Sequence, residues 1–367
     1  TVYEPLDIVL PVGISFFTFQ SLSYTIDVYR GELQPLRRWI DYLFYVSFFP
    51  GLVAGPIVRA RDFIPQMFRT PVVTRETLGE GLYLIICGLL KKSVISDYIS
   101  VNFVDRIFDA PTLYTGLENL VGAYGYALQI YCDFSGYSDM AIGIALLLGI
   151  RFNTNFDSPY QSATITEFWR RWHISLSTWL KDYLYISLGG NRRGRVRTYV
   201  NLMLTMLLGG LWHGASGRFI LWGGLHGAAL AVHKFMMNHF PSFRPTGDTM
   251  SPLRRVCGVL ITFHVVCFGW IFFRADTMAT GWDVIRQIFT AFHPEVFSQF
   301  VVGYTEVFLL ILGGYAIHFM PRVVDTTVRG WVTQSPTLVQ ALYLTVAIII
   351  VLQLKSADIV PFIYFQF

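Results

Sequence analysis

Between Thr164 and Gly227 the chain sets tryptophan, arginine, histidine, serine and aspartate against apolar runs of membrane grade. The stretch opens TITEFWRRWHISLSTWLKDYLYISLGGNRRGR and continues into NLMLTMLLGGLWHGASGRFILWGGLHG. Polar chemistry this dense beside such hydrophobicity reads as a reaction centre held by a bilayer-embedded scaffold. The composition names the solvent. Of 367 residues, 53% are hydrophobic and only 14% are charged, against about 25% charged in soluble domains. So little charge cannot cover a soluble surface, and lipid is the solvent that suits the chain. The expected class is a polytopic all-α membrane protein, a single domain over 1–367.

A bilayer core takes roughly 20 apolar residues per helix. Candidate spans run over 6–28, 78–94, 119–131, 140–150, 200–213, 220–233, 256–273, 307–320 and 338–354. Segment 40–58 is different. It carries FFPGLVAGPIV, whose prolines and glycines break a helix. Broken backbone at membrane depth survives only where protein or a watery cavity surrounds it, so a re-entrant or kinked, cavity-lining piece is expected there, followed by an interfacial link over 59–71. Over 167–184, Trp169, Trp172, Leu176, Trp179, Leu180 and Tyr183 recur at helical spacing and alternate with Arg170, Arg171, Lys181 and Asp182. This predicts one interfacial helix, too polar to span alone. A second amphipathic helix is expected over 282–292. CDFSGYSD joins 119–131 to 140–150 and brings Asp133 and Asp139 near membrane level. Charges there are costly and often functional, or they lie at an interface; both readings stand. No internal repeat or domain linker is visible.

Arg192, Arg193, Arg195 and Arg197 cluster in one short loop, which marks it as cytoplasmic. A nucleic-acid surface would need a basic face with stacking aromatics in a soluble context, and that context is missing. Cys87, Cys132, Cys257 and Cys267 lie in or beside apolar runs without metal-ligand spacing, as small buried hydrophobes do.

His213 ends LLGGLWHG, flanked by Gly209, Gly210 and Gly214. A neutral imidazole in a low-dielectric cavity can act as a general base, and the glycines keep space open for a substrate. A packing histidine satisfied by a carbonyl is the competing reading. His173, in RRWHISLS, could converge with it. Zinc is disfavoured, because neither histidine has HExxH or a carboxylate at helical spacing, and His226 and His233 are too far apart on one helix face to share a metal. Arg170 and Arg171 could hold the phosphates of a nucleotide-like donor or simply snorkel. The Gly189–Gly194 loop lacks the ending and preceding strand of a P-loop. At the C-terminus, Tyr364 among Phe362, Phe365 and Phe367 is an interfacial anchor or a hydroxyl entering a cavity.

These residues resemble the membrane-bound O-acyltransferase family. The motifs are SPYQSATITEFWRRWHISLSTWLKDYLYISLGGNRRG and LWHGAS…LWGGLHG, with SFFTFQSLSYTIDVYRG, FFPGLVAGPIVR and YCDFSGYSDMAIGIALLLG. The likeness runs over essentially the whole chain and is strongest to the bacterial branch that serves alginate O-acetylation. It departs at Ser187, where a proline is expected, and at Gly217-Arg218, where an aromatic residue is usual. The resemblance implies a ring of tilted helices around a central tunnel, in a multi-pass protein of the bacterial inner membrane, with further spans ahead of Thr1. It implies His213 as the invariant base and His173 as the second histidine, near the donor. Trp169, Arg170, Arg171, Trp172, Ser175 and Trp212 would line the donor site or tunnel. The implied donor substrate is acetyl-coenzyme A, with no bound cofactor and no metal. The implied partners are a periplasmic SGNH or esterase-like acetyltransferase and the polysaccharide export machinery. The tail 362–367 is similar to the FxYxxF of a partner peptide in the teichoic-acid system, which would make Tyr364 an acyl relay.

D-alanyl or other acyl transfer to a cell-wall polymer is the nearest alternative. A transporter or flippase is a rival of another class, since glycine-rich broken helices suit transport; the absence of an inverted repeat speaks against it. A scaffold that only recruits a periplasmic enzyme is a third reading.

Overall fold

The computed structural model describes residues 13–52, 55–240 and 250–354. Among them every regular element is helical, as the sequence predicts. Two helices, Pro252–Arg274 and Thr337–Leu354, are each long and apolar enough to cross a bilayer, and a third crossing exists if Pro294–Gly303 and Thr305–His318, bent by 99° at their break, act as one. Among the described residues that is fewer than the nine expected spans, the first of which, 6–28, lies partly outside those residues.

The longest element corrects the expected pair of spans over 119–131 and 140–150. Gly116–Leu147 is one continuous helix of 32 residues, about 48 Å at 1.5 Å per residue. Thr115 and Glu118 start it with a reciprocal capping box. The polar joint stays helical because its charges are met from the side. Asp133 pairs with Lys92 at 2.7 Å and Asp139 with Lys91 at 2.6 Å. The span expected over 78–94 does not end at these two lysines. Instead Arg75–Leu89 runs on through a wide turn at Leu90–Ser96 to Asp97–Ile99, a second wide turn at Ser100–Val104, and Asp105–Asp109. Wide π-turns insert an extra residue and often accompany function. Here the first carries Lys92 to Asp133.

Two glycine pairs let these helices touch backbone to backbone. A Cβ on Gly88 would stand 2.5 Å from the Gly136 carbonyl oxygen, and one on Gly143 would stand 2.5 Å from that of Gly81. Small residues at such crossings are the usual means of close packing in membranes, where water gives no hydrophobic drive.

The expected break over 40–58 is present. Trp39–Ser47 and the single turn Phe49–Leu52 are followed by non-helical backbone at 56–59 before Ala60–Met67 resumes. The single helix expected over 167–184 is not formed. Ile165–Arg171 stops, His173 takes a left-handed φ of 41°, Ile174–Trp179 restarts, and Leu180–Tyr185 widens into a π-turn. Helical spacing is preserved across the break, which is why periodicity did not reveal it. The amphipathic helix expected over 282–292 is Met278–Thr290.

Candidate active site

Each histidine sits where its local backbone stops being regular. His213 is the last residue of Arg195–His213, and the chain turns through Gly214 into Gly217–His239. These two helices approach closely at Gly210, whose Cβ would lie 3.2 Å from Gly223 Cα. The imidazole of His213 is walled by Trp222 at 5.1 Å and Phe273 at 5.0 Å, both edge-on. It is only half-buried.

His173 is 1% exposed. Its ring meets Phe134 edge-on at 4.6 Å and lies parallel to Phe156 and Phe16 at 6.3 and 6.4 Å. Its Nε2 is buried and has no hydrogen-bond partner among the described residues. Its Nδ1 lies 3.2 Å from Asn155 Oδ1. Asn155 Oδ1 also accepts from the Ser175 amide at 3.2 Å and from the Ser175 hydroxyl at 2.9 Å, and Asn155 Nδ2 donates to Ser138 at 3.0 Å. The Asn155 carbonyl accepts from the Ile174 amide at 2.9 Å. Asn155 is not among the residues that the sequence singles out. The available signal was an asparagine in NTNF, between a long apolar run and the Trp-Arg-His segment.

Two aromatic paths join the histidines. Phe16 lies against both His173 and Trp212, the latter at 6.1 Å, and Trp212 adjoins His213 at 4.7 Å. On the other side, Trp172 meets Trp270 at 5.0 Å, Trp270 meets Phe273 at 5.2 Å, and Phe273 meets His213. The structure thus brings His173, His213, Trp172 and Trp212 to one aromatic cluster. Trp169 joins it through Trp222 at 5.8 Å and donates from Nε1 to His226 Nδ1 at 3.2 Å. His233 bonds Thr166 at 2.8 Å. His226 and His233 therefore tie Gly217–His239 to Ile165–Arg171. Among the described residues no three His, Cys, Asp or Glu side chains are grouped to hold a metal.

The two arginines part company. Arg171 pairs with Glu167 at 2.8 Å and reaches the Asp157 carbonyl at 3.4 Å. Arg170 is exposed. Ser175 accepts from the Ile57 amide at 3.0 Å and lines a cleft of about 200 Å³ with Pro56, Val58, Arg59, Asn153 and Thr178. Arg59 there bonds Asp182 at 2.6 Å, and its Nη2 is buried without a partner among the described residues. Tyr364 lies outside the described residues.

Both unusual positions have structural work. Ser187 accepts from Arg30 at 2.9 Å and donates to the Tyr183 carbonyl at 2.8 Å, tying the first described helix, Ile14–Tyr29, to the arginine loop. Arg218 is half-buried. It donates to the Ala275 carbonyl at 2.5 Å and the Phe273 carbonyl at 3.3 Å, capping Pro252–Arg274, and lies over Phe219 at 4.4 Å.

Comparison with known proteins sets this geometry in context. Residues 32–274 match the model of the MBOAT, or membrane-bound O-acyltransferase, family; both histidines fall inside the match. The chain is 47% identical over 284 residues to the probable alginate O-acetylase AlgI of Pseudomonas aeruginosa, covering 77% of this chain and 52% of that one. It is 38% identical over 381 residues to the protein of that name in Pseudomonas putida, covering 98% and 76%. It is 37% identical over 362 residues to the peptidoglycan O-acetyltransferase of Helicobacter pylori, covering 91% and 65%. The match spans about half the length of the Pseudomonas aeruginosa protein and of the protein of the same name in Azotobacter vinelandii.

Proposed function

This chain belongs to the membrane-bound O-acyltransferase family, and we propose that it moves acetyl groups from cytosolic acetyl-coenzyme A across the bacterial inner membrane, for O-acetylation of an extracytoplasmic polysaccharide of the alginate kind. The observation that carries this reading is the meeting of His173 and His213 in one aromatic cluster through Phe16 and Trp212. Low-dielectric surroundings strengthen every polar interaction made there.

In the proposed reaction half-buried His213 is the base. It takes the proton of the attacking hydroxyl, and the oxygen adds to the acetyl carbonyl carbon. The carbon–sulfur bond breaks, and the imidazolium returns the proton to the leaving thiolate. The donor approaches along the cleft beside Ser175. That cleft holds Arg59, paired with Asp182 a short helical segment before Ser187 and the arginine loop, so it lies on the side that the loop marks as cytosolic. Trp169, Trp172 and Trp212 line the donor's path, and Arg170 serves its phosphates; Arg171 holds the segment's shape through Glu167. The helices form the ring and tunnel of the family around this centre. Tyr364 is the first acceptor in this scheme, and its ester passes the acetyl group to a serine of a periplasmic SGNH or esterase-like partner that works with the export machinery. Splitting one transfer across a membrane into two shorter ones is the advantage of a covalent relay.

The test is purified full-length protein in lipid nanodiscs with radiolabelled acetyl-coenzyme A and the periplasmic partner. Thiol release and label on the C-terminal peptide or partner are expected, both lost in His213→Ala. Folded protein that moves substrate without breaking the thioester would make it a transporter instead, and a protein that does neither would be a scaffold.

A further inference from the structure

We propose that Asn155 is a positioning residue that fixes the tautomer of His173, placing the proton on Nδ1 and leaving Nε2 as a bare acceptor in the site; its importance for catalysis rests on the transferase reading above. A backbone N–H can only donate, so the Asn155 atom 3.2 Å from the Ser175 amide is the oxygen. The other end of the same side chain is then Nδ2, which donates to Ser138 at 3.0 Å. The Ser175 hydroxyl already accepts from the Ile57 amide, so its own hydrogen goes to Asn155 Oδ1 at 2.9 Å in preference to His173 Nδ1 at 3.4 Å. What faces His173 Nδ1 at 3.2 Å is therefore an acceptor oxygen. A bare Nδ1 would set lone pair against lone pair, whereas Nδ1–H makes a hydrogen bond. A neutral imidazole carries one such proton, so Nε2 is bare.

That bare nitrogen is buried and has no partner among the described residues. The rings of Phe134, Phe156 and Phe16 beside the imidazole carry no N–H or O–H. Nε2 accepts the hydrogen of a hydroxyl, thiol or amide that enters. Asn155 also holds the ring in place. Its carbonyl takes the Ile174 amide and its side chain takes the Ser175 amide, gripping the backbone on the C-terminal side of His173. This secures the left-handed φ of 41° at His173, a conformation that is costly for a non-glycine residue. One side chain thereby sets both the proton and the position of the second histidine, as outer-shell partners of functional histidines do elsewhere.

The test is nitrogen-15 NMR of histidine-labelled full-length protein in nanodiscs, with the His173 signals assigned by their loss in His173→Gln. The wild-type protein should show protonated Nδ1 and unprotonated Nε2. Asn155→Leu should mix or reverse the two forms and lower kcat about tenfold or more. A wild-type His173 protonated at Nε2 overturns the proposal. So does a folded Asn155→Leu protein that keeps both the tautomer and kcat. Should the leucine variant not fold, the wild-type spectrum decides alone. That spectrum needs no turnover, so a protein inactive towards acetyl-coenzyme A would sink the transferase reading and leave this one standing.

Discussion

Lys92 and Asp133 meet at 2.7 Å across the contact of two packed helices, with side chains 8% and 3% exposed, and Asp97 closes on the same ammonium from Lys92's own segment. Desolvating such groups costs several kcal/mol each, and only pairing offsets it. The wide turn at Leu90–Ser96 is the device that brings the lysine between two carboxylates.

Lys92→Met would leave Asp97 and Asp133 facing each other with no cation between them. A loss of about 3–5 kcal/mol is expected, the usual result of stripping one partner from a buried pair. Asp97→Asn should cost far less, because Lys92–Asp133 survives. Thermal unfolding in detergent, followed by size-exclusion recovery, checks this. Equal losses for the two variants would mean that Asp97, not Asp133, is the partner that matters.

The glycine crossing makes a second prediction. Gly136→Ala would place a Cβ 2.8 Å from the Gly88 carbonyl. Backbone cannot yield as a side-chain tip does, so about 1–3 kcal/mol should be lost. Gly330→Ala, in Arg322–Gln334, meets nothing within 4 Å and should stabilise its helix by about 0.5–1 kcal/mol. Opposite signs in the same melting assay are the expected result.

Arg218 permits a third. It caps the carbonyl end of Pro252–Arg274, whose Phe273 walls His213. Arg218→Met should cost about 1.5–3 kcal/mol, the range for hydrogen bonds from a charged donor, and should lower kcat by loosening that wall. Arg218→Lys should recover little, since one ammonium cannot reproduce the planar fork. Activity and melting measured on both variants separate this inward role from a surface role, which would leave melting unchanged.

What was legible depended on the range of the interaction. The break over 40–58 could be read because Pro50, Gly51, Gly55 and Pro56 act on their own backbone. His213 and His173 could be singled out as residue types in an apolar context. The continuity of Gly116–Leu147 could not be read, because the partners of Asp133 and Asp139 lie more than forty residues away on another segment. The place of Lys91 and Lys92 inside a continuing segment was hidden for the same reason. The stop at His173 was invisible because its left-handed backbone is held by Asn155, from a loop without periodicity. The role of Arg218 could not be read because the Phe273 and Ala275 carbonyls that it binds lie 55 and 57 residues away.

Arg170 and Arg171 are neighbours of one type, and the sequence offers no reason to treat them differently. The structure does. Arg171 is half-buried and spends its guanidinium on Glu167 and the Asp157 carbonyl, so Arg171→Ala should lower the melting temperature and reduce kcat through the misplaced Trp172–His173 turn. Arg170 is exposed and free to meet an anionic donor. A charge-assisted contact to phosphate contributes about 1.5–3 kcal/mol, so Arg170→Ala should raise the KM for acetyl-coenzyme A about tenfold or more while melting and kcat hold. The increase should shrink for a short acetyl thioester lacking the nucleotide, because that donor has no phosphate to lose. A KM that rises equally for both donors would place Arg170 away from the phosphates and leave the cleft beside Ser175 and Arg59 as the better anion site.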